Sequence, residues 1–179
     1  MRGSSYTKRN LGSFSPRTRN LVIWLLVVGA IAAVGWWREQ STPALSGQAR
    51  VIDGDSLWVG STEIRIYGID AVELHQSCTR AGQPWSCGSE AAQALRRAIN
   101  GRAVSCRSKD RDRYGRTVAT CSVGGLDLGA AMIKGGYAVA YGAYEADERE
   151  ARDAGRGIWS SQFEPPGVWR SRNPRRPSP

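Results

Sequence analysis

A run of seventeen residues without a charge, 21–37, most constrains how this chain can fold. The run reads LVIWLLVVGAIAAVGWW, and as a helix it would span roughly 25 Å, at the short end for a bilayer crossing. Tryptophans stand near both of its ends, as is typical of membrane interfaces. The sequence therefore predicts a single transmembrane helix at residues 21–37.

The charges around this run predict its orientation. Residues 1–20 contain five basic residues and no acidic residue, so the N-terminus is expected in the cytoplasm and the rest of the chain in the periplasm or outside the cell. A cleaved signal peptide is the alternative, because residues 44–46 form a weak cleavage-like site. The remainder would then be secreted, and both alternatives carry it across the membrane.

The formal net charge of +9 belongs to the two ends of the chain. Residues 1–20 and the stretch after Glu164 hold nine of the 25 basic residues and no acidic residue, and the other basic residues balance the 16 acidic ones. The excess charge therefore says little about the partners of the folded part. Composition predicts disorder at residues 1–20 and 165–179 and a linker at 38–48.

Four cysteines, Cys78, Cys87, Cys106 and Cys121, all follow the uncharged run. An even number of cysteines in an exported domain is typical of disulfides, and the absence of C-x-x-C spacing makes a zinc site the weaker interpretation. Cys78 and Cys87 flank a short loop, and Cys106 and Cys121 flank an expected hairpin. We therefore predict the bonds 78–87 and 106–121, with four buried free thiols as the alternative.

The chain after the linker shows short apolar runs typical of strands. RVIDGDSLWVG and STEIRIYGID predict two paired strands, and RAVSCRSKD and RTVATCSVGG predict a hairpin around RDRYG. We expect an irregular loop at 76–88, a helix at 89–99 capped by Ser89 and ended by Asn100, and further helices towards the end. This order suits a five-stranded OB-type barrel with about three helices over residues 49–164, an α+β fold that is mainly β. Other α+β folds fit the same order.

The string DGD holds Asp53 and Asp55 two residues apart, so in a strand both would point to one face. Gly54 between them leaves room for close approach of a ligand or of backbone. Asp70 and Glu73 follow the second strand and can return towards DGD. Four carboxylates without matching bases would repel one another, and a hard cation such as Ca²⁺ or Mg²⁺ would relieve this repulsion. An ordinary turn is the alternative.

Basic residues are a second indication of function, because they can bind phosphate. Arg65 lies on the polar face of the strand that leads to Asp70, and Arg116 follows the charged loop that contains Arg113 and Tyr114. Guanidinium groups pair with phosphate oxygens, and basic residues interleaved with an aromatic ring are typical of surfaces that track nucleic acid. A solvated hairpin tip is the alternative.

The strings VIDGDS, IRIYGIDAVE, DRYGR and GRGIW occur in this order between Ala49 and Trp159. In order and spacing they resemble the staphylococcal nuclease (thermonuclease) family. The resemblance implies an OB barrel that cleaves DNA or RNA as a Ca²⁺-dependent endonuclease, by water attack on the phosphate that leaves 3′-phosphate ends. A monomer is expected.

The resemblance also implies which residues hold the metal. It makes Asp55 and Asp70 direct Ca²⁺ ligands and the carbonyl of Ala71 a third. Asp53 supports these ligands without direct contact.

The resemblance further assigns the groups that act on the substrate. Glu73 matches the proposed general base, Arg65 and Arg116 match the pair that contacts the reacting phosphate, and Tyr114 and Arg113 lie where the nucleotide binds.

The sequence departs from the family pattern at Asp-Ala-Val-Glu, where Asp-Thr-Pro-Glu is usual. Val72 in place of proline is expected to loosen the turn that aims Glu73 and to affect the rate. We interpret His75 as an incidental loop residue and rank Tyr141 and Tyr144 low as nucleotide contacts. The alternative function is a catalytically inactive module that binds nucleic acid or protein at the membrane.

Overall fold

The structure is a computed structural model that describes residues 16–40 and 44–174. The chain divides between residues 42 and 43 into two compact units. The first unit contains the helix α1 (Pro16–Gln40), which begins at a proline, a residue favoured in the first turn of a helix. The expectation of disorder is therefore wrong for residues 16–20, and residues 1–15 lie outside the described residues.

The apolar run at 21–37 lies within α1. Over the described ranges, no helix combines the length and the apolar character needed to cross a membrane. The anchor at residues 21–37 stays a prediction.

The second unit is an α+β fold that is mainly β. Its strands are β1 (Ala44–Gly47), β2 (Ala49–Val51), β3 (Ser56–Val59), β4 (Thr62–Ile66), β5 (Ile69–Ala71), β6 (Cys78–Arg80), β7 (Gln83–Trp85), β8 (Val104–Arg111), β9 (Thr117–Val123), β10 (Leu126–Asp127) and β11 (Ala138–Ala140). Its helices are α2 (Cys87–Ile99), α3 (Leu128–Lys134), α4 (Glu145–Asp153) and α5 (Pro166–Arg172), with a 3₁₀ turn at Gly157–Ser160.

The main sheet has the order β1-β8-β9-β4-β3-β2, with β10 paired to β9. All of its pairs are antiparallel except β4 with β9. Two smaller sheets join β5 to β11 and β6 to β7. The expected mixed fold is confirmed in outline, but five strands and about three helices were too few for the described residues. The additional strands contain only two to four residues each, too few for a hydrophobic period to appear.

The core lies between the main sheet and the helices α2 and α3. Leu57 of β3 faces Ile64 of β4 across the ladder, and both are fully buried. Leu95 of α2 and Met132 of α3 join the same cluster. Because β3 and β4 are fixed by this apolar pair, the residues at their ends have fixed positions too.

Two local expectations need correction. Residues 44–47, expected within a linker, form β1 and pair with β8 from Ala44↔Arg107 to Gly47↔Val104. Helix α2 begins at Cys87 after Ser86 and not at Ser89. Its predicted end is confirmed, because Asn100 adopts the left-handed conformation that terminates helices.

Both predicted disulfides are confirmed. Cys106 and Cys121 lie directly opposite each other on β8 and β9. Cys78 and Cys87 join the start of β6 to the start of α2. The residues between them are not an irregular loop, as expected at 76–88, but the hairpin β6–β7.

The C-terminal segment crosses this hairpin and then forms α5. Thr79 and Gln162 exchange two backbone hydrogen bonds of 2.9 and 2.8 Å, and Trp85 Nε1 donates to Ser161 Oγ at 3.0 Å. The prediction of a disordered tail is therefore wrong for residues 165–172. Residues 175–179 lie outside the described residues.

Replacing both cysteines of the first bond, Cys78→Ser with Cys87→Ser, should lower the free energy of unfolding by about 2–4 kcal/mol, because the closed loop restricts the unfolded chain. Urea unfolding followed by tryptophan fluorescence measures this change. The matched control is the parent protein under the same oxidising conditions. An unchanged unfolding midpoint would show that the bond does not stabilise the hairpin.

Candidate active site

The DGD string forms the tight connection between β2 and β3 and buries its carboxylates. Asp55 is 3% exposed; its Oδ1 accepts from Ser56 Oγ at 2.8 Å and its Oδ2 from the Ala71 N–H at 3.0 Å. A Cβ added to Gly54 would lie 2.7 Å from the Cβ of Ala71 and 2.9 Å from that of Ala91. Glycine is therefore needed here for packing against β5 and α2, and this packing holds Asp55 beside β5.

Arg65 of β4 joins two of the buried carboxylates. Its Nη2 lies 3.1 Å from Asp55 Oδ2 and 2.6 Å from Asp70 Oδ1. Burial lowers the pKa of Arg65, but the charges of Asp55 and Asp70 raise it further, so the pKa lies above its usual value. The residue predicted to contact phosphate is thus held in place by the predicted metal ligands.

Asp53 stands two residues before Asp55 in the same connection between β2 and β3. Its Oδ1 accepts a hydrogen bond of 3.1 Å from the Asp55 N–H. Burial, reinforced by the charge of Asp55, raises the pKa of Asp53 to about 7. Asp53 thus contacts the backbone of Asp55, and its role in supporting metal ligands stays a prediction.

Glu73 follows β5 on a turn that Gln76 closes. Gln76 is fully buried; its Oε1 accepts from the Glu73 N–H at 3.1 Å, and its own N–H donates to the Glu73 carbonyl at 2.7 Å. Gly88 at the start of α2 packs so closely that an added Cβ would overlap the Glu73 carbonyl oxygen. The turn expected to be loosened by Val72 is therefore fixed by Gln76 and Gly88, and Val72 itself is buried in the core.

Arg170 of α5 is the site residue that sequence reasoning missed. Its Nη1 and Nη2 bind Asp70 Oδ1 and Oδ2 at 2.8 and 2.9 Å, and Nη1 also binds Glu73 Oε1 at 2.9 Å. The hydrogen bonds to Asp70 raise the pKa of Arg170 above its usual value, and the one to Glu73 adds to this effect, which exceeds the opposing effect of burial. The signal that could have found it is Pro165-Pro166 followed by Val168 and Trp169, a helix start with apolar residues.

Arg116 reaches the site from the turn between β8 and β9. Its Nε donates to Asp112 Oδ2 at 2.7 Å, and its Nη1 lies 3.5 Å from Ser56 Oγ, next to Asp55. Asp112 also accepts from the backbone N–H groups of Tyr114 and Arg116 at 2.9 and 3.0 Å. Burial raises the pKa of Asp112, but the bonds from Arg116 lower it more. The charged loop is therefore an ordered turn that aims Arg116.

Tyr114 and Arg113 lie at the outer edge of this turn. Tyr114 is 69% exposed, and Arg113 Nη2 donates to its hydroxyl at 2.8 Å. An open cleft lined by Trp58, Glu63 and Arg116 adjoins the ring. This surface can accept a flat group on the aromatic face.

Three residues were expected to contribute little to the site: Tyr141, Tyr144 and His75. Tyr144 donates to both carboxylate oxygens of Asp127 at 3.1 and 3.0 Å and packs against the core. Tyr141 is exposed. His75 lines a cleft with Glu73 and Trp169.

The carboxylates as arranged do not fit a divalent cation. In the described part of the chain, no group of three or more histidine, cysteine, aspartate or glutamate side chains is positioned to hold a metal ion. At Asp70, guanidinium nitrogens of Arg65 and Arg170 lie on the oxygens that a cation would need. The mutual repulsion of the carboxylates is offset by arginine.

Comparison with known proteins agrees with these features. Residues 63–161 match the family model described as staphylococcal nuclease homologue. A succinoglycan biosynthesis protein from Rhizobium meliloti is 34% identical over 162 residues, which cover 86% of this chain and 81% of that protein. A probable staphylococcal-like nuclease from Oryza sativa is 34% identical over 123 residues, 65% of this chain and 31% of that protein.

A probable endonuclease from the fungus Sclerotinia sclerotiorum is 32% identical over 164 residues, covering 80% of this chain and 58% of that protein. The chain therefore spans about a third of the rice relative and somewhat more than half of the fungal one. The family match extends over more than half of the chain. This chain belongs to the family of staphylococcal nuclease homologues.

Proposed function

We propose that the chain is an endonuclease that hydrolyses phosphodiester bonds in DNA or RNA. The observation that carries the proposal is the grouping of Arg65, Glu73 and Arg116 around one pair of aspartates. Arg65 binds Asp55 and Asp70 directly. Glu73 shares Arg170 with Asp70, and Arg116 contacts Ser56, the neighbour of Asp55. The names of the rice and fungal relatives, a nuclease and an endonuclease, support the same reaction class.

Each residue has a role that its surroundings support. The Glu73 carboxylate, aimed by Gln76, accepts the proton of the attacking water. Arg65 and Arg116 balance the negative charge that develops on the phosphoryl oxygens. The exposed ring of Tyr114 stacks on a base. The phosphorus bond to the 5′ oxygen breaks, which leaves a 3′-phosphate and a 5′-hydroxyl.

Dependence on Ca²⁺ is part of the proposal, because the family resemblance implies it. In the structure both oxygens of Asp70 are bound by Arg170, and Arg65 binds one of them as well.

A binding module without catalysis is the second candidate. It is favoured by the same contacts, because Arg170 occupies both Asp70 and the predicted base Glu73. Such a module would retain nucleic acid without cutting it.

The full-length protein should cleave denatured DNA with added Ca²⁺ and not with excess chelator. The fragments should resist extension by a DNA polymerase until a phosphatase removes their 3′-phosphates. Fragments that carry 5′-phosphates would contradict the assigned direction of attack. Retention of DNA in a gel-shift assay without cleavage would favour the binding module.

Glu73→Gln should lower kcat about 10²- to 10³-fold with a smaller effect on KM, since it removes the proton acceptor and keeps the shape. Steady-state cleavage of a fluorescent oligonucleotide measures both constants. Glu90→Gln is the control, because Glu90 lies on α2 and pairs only with the exposed Arg97 among the contacts described. Equal kcat values for the two variants would exclude Glu73 as the base.

Arg116→Gln should lower kcat about 10²-fold, because it removes a donor to the phosphoryl oxygens. Arg107→Gln removes the same charge from an exposed position on β8 of the same hairpin, so it controls for long-range electrostatics. If both variants lose activity equally, the effect of Arg116 is one of net charge and not of position.

A further inference from the structure

A half-buried tryptophan and a half-buried glutamate form a pair on the outer face of the main sheet. Trp58 of β3 lies opposite Glu63 of β4 in the ladder. Their neighbours Leu57 and Ile64 point into the core, so Trp58 and Glu63 point away from it. No residue that the structure describes donates a hydrogen bond to the Glu63 carboxylate or forms an ion pair with it. The pair is therefore not part of the core, and its carboxylate is available to a ligand.

This pair lines an open cleft that continues to the turn between β8 and β9. The cleft has a volume of about 370 Å³, and Tyr114, Arg111 and Arg116 line it as well. Such a volume lies within the range of small-molecule sites. Aromatic rings set among basic groups are typical of surfaces that bind unpaired bases. The chemistry of the cleft thus suits a nucleobase attached to a phosphate backbone.

The cleft directly adjoins the proposed active site. Ser56 and Arg65 form the neighbouring same-face pair of the ladder, and both contact Asp55. Residues two apart on a strand share a face and lie about 7 Å from each other, so the Trp58–Glu63 pair lies at about that distance from Arg65. One nucleotide of an extended strand has a similar length. A strand whose phosphate contacts Arg65 therefore places a neighbouring base at the cleft.

We propose that this cleft is a subsite for one unpaired base next to the reacting phosphate, and that Glu63 selects a base with an exocyclic amino group. This inference rests on the proposed nuclease function and extends it to the choice of substrate. Trp58 and Tyr114 supply aromatic contact, and the Glu63 carboxylate accepts a hydrogen bond from the amino group. Among the pyrimidines, cytosine offers such a donor, whereas uracil and thymine present a carbonyl oxygen that the carboxylate repels.

The test measures binding by the full-length protein in excess chelator, so that neither a divalent cation nor cleavage contributes. The probes are fluorescent hexamers of deoxycytidine and of deoxyuridine, which differ at the base edge and carry the same charge. Fluorescence anisotropy should show that the parent protein binds the deoxycytidine hexamer about tenfold more tightly. Equal affinity of the parent for the two hexamers would overturn the selection of an amino group.

Glu63→Gln should nearly abolish this preference, because an amide can also donate to the uracil oxygen. The ratio of the two affinities is the readout, since loss of a negative charge strengthens the binding of both hexamers. Glu90→Gln removes a carboxylate from α2 that pairs with Arg97, and it should keep the parent's ratio. A ratio as large in Glu63→Gln as in the parent would overturn the role of Glu63.

Trp58→Leu should weaken the binding of both hexamers about tenfold, because it removes the aromatic face and keeps an apolar side chain. Trp85→Leu is the matched control. Trp85 is likewise half-buried with an arginine over its ring, but it lies on β7, outside the cleft.

The remaining outcomes separate the subsite from the nuclease function. Equal affinities of the parent and Trp58→Leu would overturn the subsite. Absence of binding by the parent would also overturn it, and cleavage in the assay with Ca²⁺ would then show that the nuclease function holds without the subsite.

Discussion

The charge balance around three buried carboxylates is the constraint on which the site depends. Asp53, Asp55 and Asp70 are all nearly inaccessible to water, and a buried carboxylate without a partner costs several kcal/mol. Arg65 offsets part of this cost through contacts with Asp55 and Asp70. Because each contact requires its strand to be in register, the Leu57–Ile64 pair and the close packing at Gly54 are conditions for the site as well as for the core.

The disulfide between Cys78 and Cys87 helps to hold the same site in place. It joins the β6–β7 hairpin to the start of α2, and the hairpin receives the C-terminal segment through Thr79 and Trp85. The turn that carries Glu73 is then bound to that segment through Gln76. One covalent bond thus supports both the predicted base and the path that brings Arg170 to it.

Much of the fold could be predicted from the sequence, and the predictions that were wrong have physical reasons. Cys106 and Cys121, and the end of α2 at Asn100, carry local signals that depend on few neighbours. Helix α5 carries a net positive charge and few apolar residues, so composition indicated disorder. Its position depends on residues distant in sequence, because Arg170 binds Asp70 and the preceding Glu164 carbonyl binds Gln76. Strand β1 likewise owes its conformation to β8. Pairings over such distances leave no period in a short segment.

The role of the basic C-terminus changes once these contacts are known. By composition, the charges after Glu164 belong to a disordered tail. In the structure Arg170 and Arg172 are instead engaged with Asp70, Glu73 and Glu164. The positive charges of α5 therefore act within the folded domain, as ion-pair partners of carboxylates that are distant in sequence. Their contribution to the structure depends on position, and composition does not reveal it.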